Sequence, residues 1–217
     1  MPNWVDNKLS VTGDSKDLKR FVMQFKPFSF ETFVPMPKDP ETQLEESRFC
    51  IYRFMFLEEG KMPEFKLDDA WYYWRLQHWG SKWDMLKEAD EDGGEFPKVL
   101  IDEECRFTMS FLTPWAGPTY WVNTVSKMFP RLTFTLLCVD CVAWRVVDYC
   151  VRDGMRLYVR SGAPEDFEEF NDSIEKMKRI KSQELSGFKL ITDENGDEII
   201  WVKQVDHVGD IEVEVNA

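Results

Sequence analysis

Cys138-x-x-Cys141 has the spacing at which two thiolates hold a metal ion or close and open a redox disulfide. A zinc site needs four ligands, however. The chain has no second such pair and only two histidines, His78 and His207. The other cysteines, Cys50, Cys105 and Cys150, bring the total to five, an odd number, and most lie in apolar, strand-like runs. In a reducing compartment they read as small core hydrophobes, so neither a metal nor a cofactor is expected. Nucleophilic catalysis would need Ser or Cys beside an oriented base. His78 is the one plausible base in the core region, and it sits in Tyr73-Trp74-Arg75-Leu76-Gln77-His78-Trp79, where it reads as a satisfied histidine on an aromatic helix and not as a catalytic one. No Gly-x-Ser-x-Gly elbow, dinucleotide-binding glycine motif or phosphate loop is present. Carboxylates are abundant, but none is singled out as one of a catalytic pair. The expectation is a protein that binds and does not catalyse.

The candidate contacts fall into two groups. The first is aromatic. Trp71–Trp83 is the densest aromatic stretch, and Trp, Tyr and Arg concentrate at interface hot spots. Most of it reads as core, but Trp79, Lys82, Trp83 and Asp84 are kept as candidates, with Lys82 and Asp84 as an ion pair or polar handle. Trp115, in the turn Thr113–Pro118, is the better exposed contact. The second group is acidic. The net charge is −13, which repels phosphate backbones and anionic membranes and favours a basic partner surface. Glu91, Asp92 and Glu95 lie in an acidic run, Glu88–Glu104, read as an exposed loop. Asp193, Glu194, Asp197 and Glu198 crowd the tip of a predicted hairpin and could imitate spaced phosphates.

These residues need a scaffold, and the apolar patterning supplies one. Asn7–Thr12 alternates as a half-buried strand. A helix follows, capped at Asp14 or Ser15, with Leu18, Phe21, Val22 and Phe25 on one face, and Pro27 stops it. Phe28–Val34 reads as a second strand and Lys38–Ser47 as a polar loop. Asp68–Trp79 reads as a helix with Tyr72, Leu76, Trp79 and Trp83 along one side, and residues 38–104 form an aromatic and acidic insertion. Cys105–Leu112 is the clearest strand. A helix at Thr119–Phe129 presents Trp121, Val125 and Met128, and a strand at Arg131–Val139 comes next. Asp153-Gly154 joins strands Trp144–Val151 and Met155–Arg160 in a tight turn. The order β-α-β, insertion, β-α-β, hairpin predicts an α+β antiparallel sheet with two helices on one face.

Beyond the core, Pro164 opens a helix with acidic residues at its start and basic ones at its end, matching the helix dipole. Asn195-Gly196 between Phe188–Thr192 and Ile199–Val202 signals a second hairpin. The expected organisation is a core over 1–161, including the 143–160 hairpin, with an extension over 162–217 packing on it. No apolar run reaches the ~20 residues that span a bilayer, and the first residues lack a secretion signal. A cytoplasmic protein without a membrane partner is expected.

Several short motifs, taken together, resemble the YubB family of plasmid- and phage-encoded proteins. They are Met1-Pro2-Asn3-Trp4 with Asn7, Leu9-Ser10-Val11-Thr12-Gly13, Phe28-Ser29-Phe30-Glu31 with Pro35-Met36-Pro37, and Trp74-Arg75. Trp79-Gly80-Ser81-Lys82-Trp83-Asp84, Phe111-x-x-x-Trp115 with Gly117-Pro118, and Phe129-Pro130-x-Leu132-Thr133-Phe134 complete the set, in register over about residues 1–160. The segment Cys138–Trp144 departs from the pattern by lacking a glycine-containing turn. The resemblance implies a ferredoxin-like domain and a mobile-element origin, and it supplies no catalytic residues. The resulting expectation is an acidic accessory protein that binds a host protein with a basic surface, as a counter-defence or host-modulating inhibitor. The alternative is a direct binder of single-stranded nucleic acid or nucleotides through the aromatic platform. Sparse basic residues beside the strands and the acidic charge disfavour it.

Overall fold

The computed structural model describes residues 3–48, 50, 66–87, 97–140 and 143–167, and the backbone of 188–192 and 198–203. The chain divides into two compact units, Met1–Glu169 and Phe170–Ala217.

The first unit is a six-stranded antiparallel sheet with four α-helices among the described residues. In chain order these are β1 (Trp4–Gly13), α1 (Ser15–Phe25), α2 (Pro40–Glu46), α3 (Ala70–His78), β2 (Lys98–Glu103) and β3 (Arg106–Pro114). They continue with α4 (Thr119–Met128), β4 (Leu132–Asp140), β5 (Arg145–Arg152) and β6 (Met155–Gly162). The strand order is β2-β3-β1-β4-β5-β6, and every neighbouring pair is antiparallel. In the second unit β7 (Phe188–Thr192) pairs antiparallel with β8 (Glu198–Lys203). The expected tip, with Asp193, Glu194 and Asp197, lies outside the described residues, as does the side chain of Glu198.

Register explains the core. Val11, Leu9 and Asn7 of β1 stand opposite Phe107, Met109 and Phe111 of β3 on one side and Phe134, Leu136 and Cys138 of β4 on the other. Directly opposed residues share a face, so one sheet face is lined with apolar side chains across three strands. Phe21 and Phe25 of α1 and Trp121, Val122 and Val125 of α4 are buried in the same cluster. Complete burial of each such side chain contributes ~1.5–3 kcal/mol.

Local chemistry sets the helix ends. Asp14 accepts hydrogen bonds from the N–H groups of Lys16 and Asp17, both at 3.1 Å, and so caps α1. Arg131 Nε donates to Asp17 at 2.7 Å and ties α1 to the loop before β4, holding the Asp17 carboxyl below its usual range. Asp153 and Gly154 both have positive φ, as the tight turn between β5 and β6 requires.

The structure corrects the sequence reading in several places. Phe28–Val34 is not a strand. Ser29 caps a single 3-10 turn at Phe30–Thr32, and Phe30 plugs the core against Trp79, Phe111 and Trp121. Lys38–Ser47 contains α2, because Asp39 accepts from the N–H of Thr42 at 2.9 Å and Pro40 starts the first turn. Part of the acidic run Glu88–Glu104 is strand β2, paired along β3 from Lys98 to Glu103. In α3 the buried side carries Ala70, Trp74 and Leu76, while Trp83 on the expected stripe is exposed. Met128 of α4 is likewise exposed, because the last turn buries its neighbour Phe129 in the core instead. The expected C-terminal helix begins as a 3-10 turn at Pro164–Asp166, and its remainder lies outside the described residues. No helix among the described residues is long and apolar enough to cross a membrane.

Candidate functional site

The junction of α3, α4 and the β3–α4 loop brings the aromatic candidates together and sorts them. Trp79 is fully buried, and its indole Nε1 donates to the Val34 carbonyl at 2.9 Å. It is a core residue and not a contact. Asp84 also turns inward. Its carboxylate accepts from the Ser29 hydroxyl and from the N–H groups of Phe30 and Met85, both at 2.8 Å. The expected ion pair or handle beside Lys82 is therefore replaced by a clamp that fixes the Phe30 plug.

Lys82 reaches the other way. Its Nζ lies 4.6 Å from the centre of the Trp115 ring, 4.9 Å from Trp83 and 5.7 Å from Tyr72. An ammonium within ~6 Å of a ring face is attracted by the ring quadrupole. Trp4 lies 6.4 Å from Trp83 and extends the cluster. Trp83 is 37% and Trp115 48% exposed. Trp115 also has φ +67°, a left-handed conformation that costs a non-glycine residue ~1–2 kcal/mol. Hydrogen bonds hold it there: Trp115 N–H donates to Asn3 at 2.7 Å, and Thr113 Oγ1 donates to the Ala116 carbonyl at 2.9 Å.

Behind this rim a cleft of about 910 Å³ opens between α4 and the helix-side face of β4, β5 and β6. Trp115, Ala116 and Gly117 form its mouth, Tyr120 and Asn123 one wall, and Tyr149, Val159, Arg145 and Arg156 the other. Gly117 must be glycine, because a Cβ there would sit 2.0 Å from Cys138 Sγ and 2.9 Å from Asn7 Oδ1. Asn7 is buried, and its Nδ2 donates to Thr113 Oγ1 at 2.7 Å and to the Val5 carbonyl at 2.9 Å, which fixes the loop from below. Asn123 Nδ2 donates to the Gly154 carbonyl at 3.0 Å and ties α4 to the β5–β6 turn. The cleft walls are therefore rigidly supported.

The chemistry this lining offers is recognition: two guanidinium groups, one carboxylate (Asp140), amide and phenol groups, and half-exposed ring faces. Burial pushes the Cys138 thiol far above its usual range, with the Asp148 carboxylate adding to the effect, so it stays protonated. Its expected partner Cys141 lies outside the described residues. His78 is half-buried and stacked on Trp74 with centroids 4.4 Å apart, away from the cleft, and burial lowers its pKa. No group of three metal-ligating side chains occurs among the described residues.

Of the acidic candidates, Glu91, Asp92 and Glu95 lie outside the described residues. Sequence reading did not single out Tyr120, Asn123, Arg145, Tyr149 or Arg156. The alternation of Arg145 with Val147 and Tyr149 put these three on one strand face, but nothing local indicated that α4 would leave that face open.

No family model and no curated protein matches the chain. Among solved structures, one described as a crystal structure of a protein api92 from Yersinia pseudotuberculosis, family-model DUF1281, is similar at a TM-score of 0.40 and 9% identity. The alignment covers 75% of this chain and 98% of that one.

Proposed function

We propose that this chain is a non-catalytic binding protein that holds a partner protein through the Trp83–Lys82–Trp115 rim and the cleft behind it. Trp115 carries this reading. A large aromatic side chain is kept half in water, in a backbone conformation that favours glycine, by three hydrogen-bonded neighbours. Strain of that kind is retained where it positions a side chain for contact. Tryptophans flanked by a cation are typical interface anchors.

The wider setting belongs to the same proposal: a cytoplasmic plasmid or phage accessory protein of the YubB kind, with a ferredoxin-like core, acting on a host protein as a counter-defence inhibitor. The order β2-β3-β1-β4, with α1 following β1 and α4 following β3, supports the ferredoxin-like reading. The motif residues meet in two groups of contacts, Ser29, Phe30, Trp79 and Asp84 in the core and Asn7 with Gly117 under the β3–α4 loop, which supports the family reading. The charge of −13 selects a partner whose surface is basic outside the aromatic contact.

The test is capture from an extract of plasmid-bearing or infected cells on immobilised protein, wild type against Trp115→Gly with Trp83→Ala. Retention of a protein by wild type and its loss by the double variant, with both variants folded, is expected. If both surfaces retain the same proteins equally, the rim is not the contact.

A second reading has one observation in its favour. Trp115 and Tyr120, each 48% exposed, share the cleft with Arg145 and Arg156, a combination of ring faces and cations suited to single-stranded nucleic acid. It requires tryptophan fluorescence to be quenched by an oligothymidine at low salt, with steep relief as salt rises.

A further inference from the structure

Strand β6 ends the sheet, and no described strand lies beyond it. Every position from Met155 to Ser161 is exposed, including Met155 at 66% and Leu157 at 54%. Such an edge presents a row of unpaired backbone N–H and C=O groups, which proteins ordinarily blunt with charged side chains, proline or bulges. The other edge, β2, is blunted: Lys98, Asp102 and Glu103 stand along it. Strand β6 carries charge of one sign only, Arg156 and Arg160, with no proline and no acidic residue between Met155 and Gly162. Its one register shift lies near the turn, leaving Tyr158–Gly162 regular.

The two cations of β6 differ. Arg160 is bound to the buried carboxylate of Asp148 at 2.8 Å and lies over the Phe167 ring. Arg156 makes no ion pair among the described residues. It stands opposite Val151 on the helix-side face and lines the cleft with Val159. A strand laid antiparallel or parallel along β6 would therefore project alternate side chains into the cleft, beside Arg156 and Val159 and across from Tyr120 and Asn123.

We propose that β6 is a docking edge for an extended segment of a partner protein, which joins as a further strand. Its cleft-facing residues are apolar, with one carboxylate placed to meet Arg156. The inference rests on the protein-binding reading above and specifies its mode. Charge decides the occupant. A second copy would bring its own β6, which holds two arginines and no acidic residue, and so would offer Arg156 no carboxylate. A segment carrying a carboxylate meets Arg156 with a charge-assisted hydrogen bond. Backbone pairing supplies the affinity, and the cleft supplies the choice of side chain.

The test uses the full chain and a labelled, end-capped eight-residue peptide of valine and threonine with one central glutamate, followed by fluorescence anisotropy. Binding about tenfold tighter than that of the same peptide with lysine in place of glutamate is expected. Backbone N-methylation at alternate residues is expected to abolish binding in at least one of its two phases. Arg156→Glu, a surface change, should reverse the preference for glutamate over lysine. The proposal is overturned if no peptide binds, if both N-methylated forms bind like the parent, or if Arg156→Glu leaves the preference intact. Sedimentation showing a dimer that the peptide does not dissociate assigns the edge to a second copy and also overturns it. Trp115→Gly separates the two readings. Peptide failure with rim-dependent partner capture preserved removes strand addition alone, whereas failure of both removes the protein-binding reading as well.

Discussion

Two sets of tryptophans lie within a few residues of one another and do opposite jobs. Trp79 and Trp121 are fully buried, and each indole N–H is satisfied by a backbone carbonyl, Val34 at 2.9 Å and Phe30 at 3.0 Å. Trp83 and Trp115 are exposed, and neither indole donates to a protein acceptor among the described residues. The cations follow the same division. Arg75 lies between Trp71 and Trp79, where burial lowers its pKa, while Lys82 lies among Trp83, Trp115 and Tyr72 at the surface. Residue type alone does not separate core from contact; a fixed acceptor for the ring N–H does.

The comparison breaks most visibly on the buried side. Trp79→Ala is expected to cost ~3–5 kcal/mol in urea-monitored unfolding, as the cavity cannot refill. A loss below ~1 kcal/mol would mean that the ring is not core. Asp84→Ala leaves the Ser29 hydroxyl and the amides of Phe30 and Met85 without their acceptor. With charged hydrogen bonds at ~1.5–3 kcal/mol each in net terms, a loss of at least ~2 kcal/mol is expected, together with loosening of Phe30 seen by amide exchange.

On the rim the balance reverses. Trp115→Gly removes the left-handed strain but also the Lys82 contact and adds backbone freedom, so stability should stay within ~1 kcal/mol of wild type. Partner capture should nevertheless fall. Equal capture would place Trp115 among ordinary surface residues.

The smallest effect concerns pH. Burial holds the His78 pKa below its ordinary 6.5, so as pH falls through 6.5 the unfolded chain takes up the proton before the folded one does. Stability should therefore rise with pH in the window just below 6.5 and level off above it. His78→Gln should flatten that rise in melting temperatures taken across the window.

Much of this architecture was legible from patterning. Strands β1, β3, β4, β5 and β6 and helices α1, α3 and α4 fall where alternation, 3.6-residue spacing and turn residues put them. The misses have physical causes. Strand β2 is an edge with most of its side chains in water, so Lys98, Asp102 and Glu103 disguised it as an acidic loop. Its extended form depends on the free edge of β3. Phe28–Val34 carried an alternation that a strand shares with a buried plug. Only Asp84, far along the chain, chooses the plug. Helix α2 has too little apolar surface for its period to show, and the Asp39-Pro40 start was its one signal.

Charge, helix caps, turn positions and the face each strand residue occupies were properties of short stretches of chain, because they depend on neighbours within about four residues. Which tryptophan is core, where Asp84 points and the existence of a cleft between α4 and β5–β6 depended on partners far apart in the chain. Val34 and Trp79 are 45 positions apart, and Phe30 and Trp121 are 91. Burial is settled by what arrives from elsewhere to cover a side chain, and tertiary packing alone supplies that.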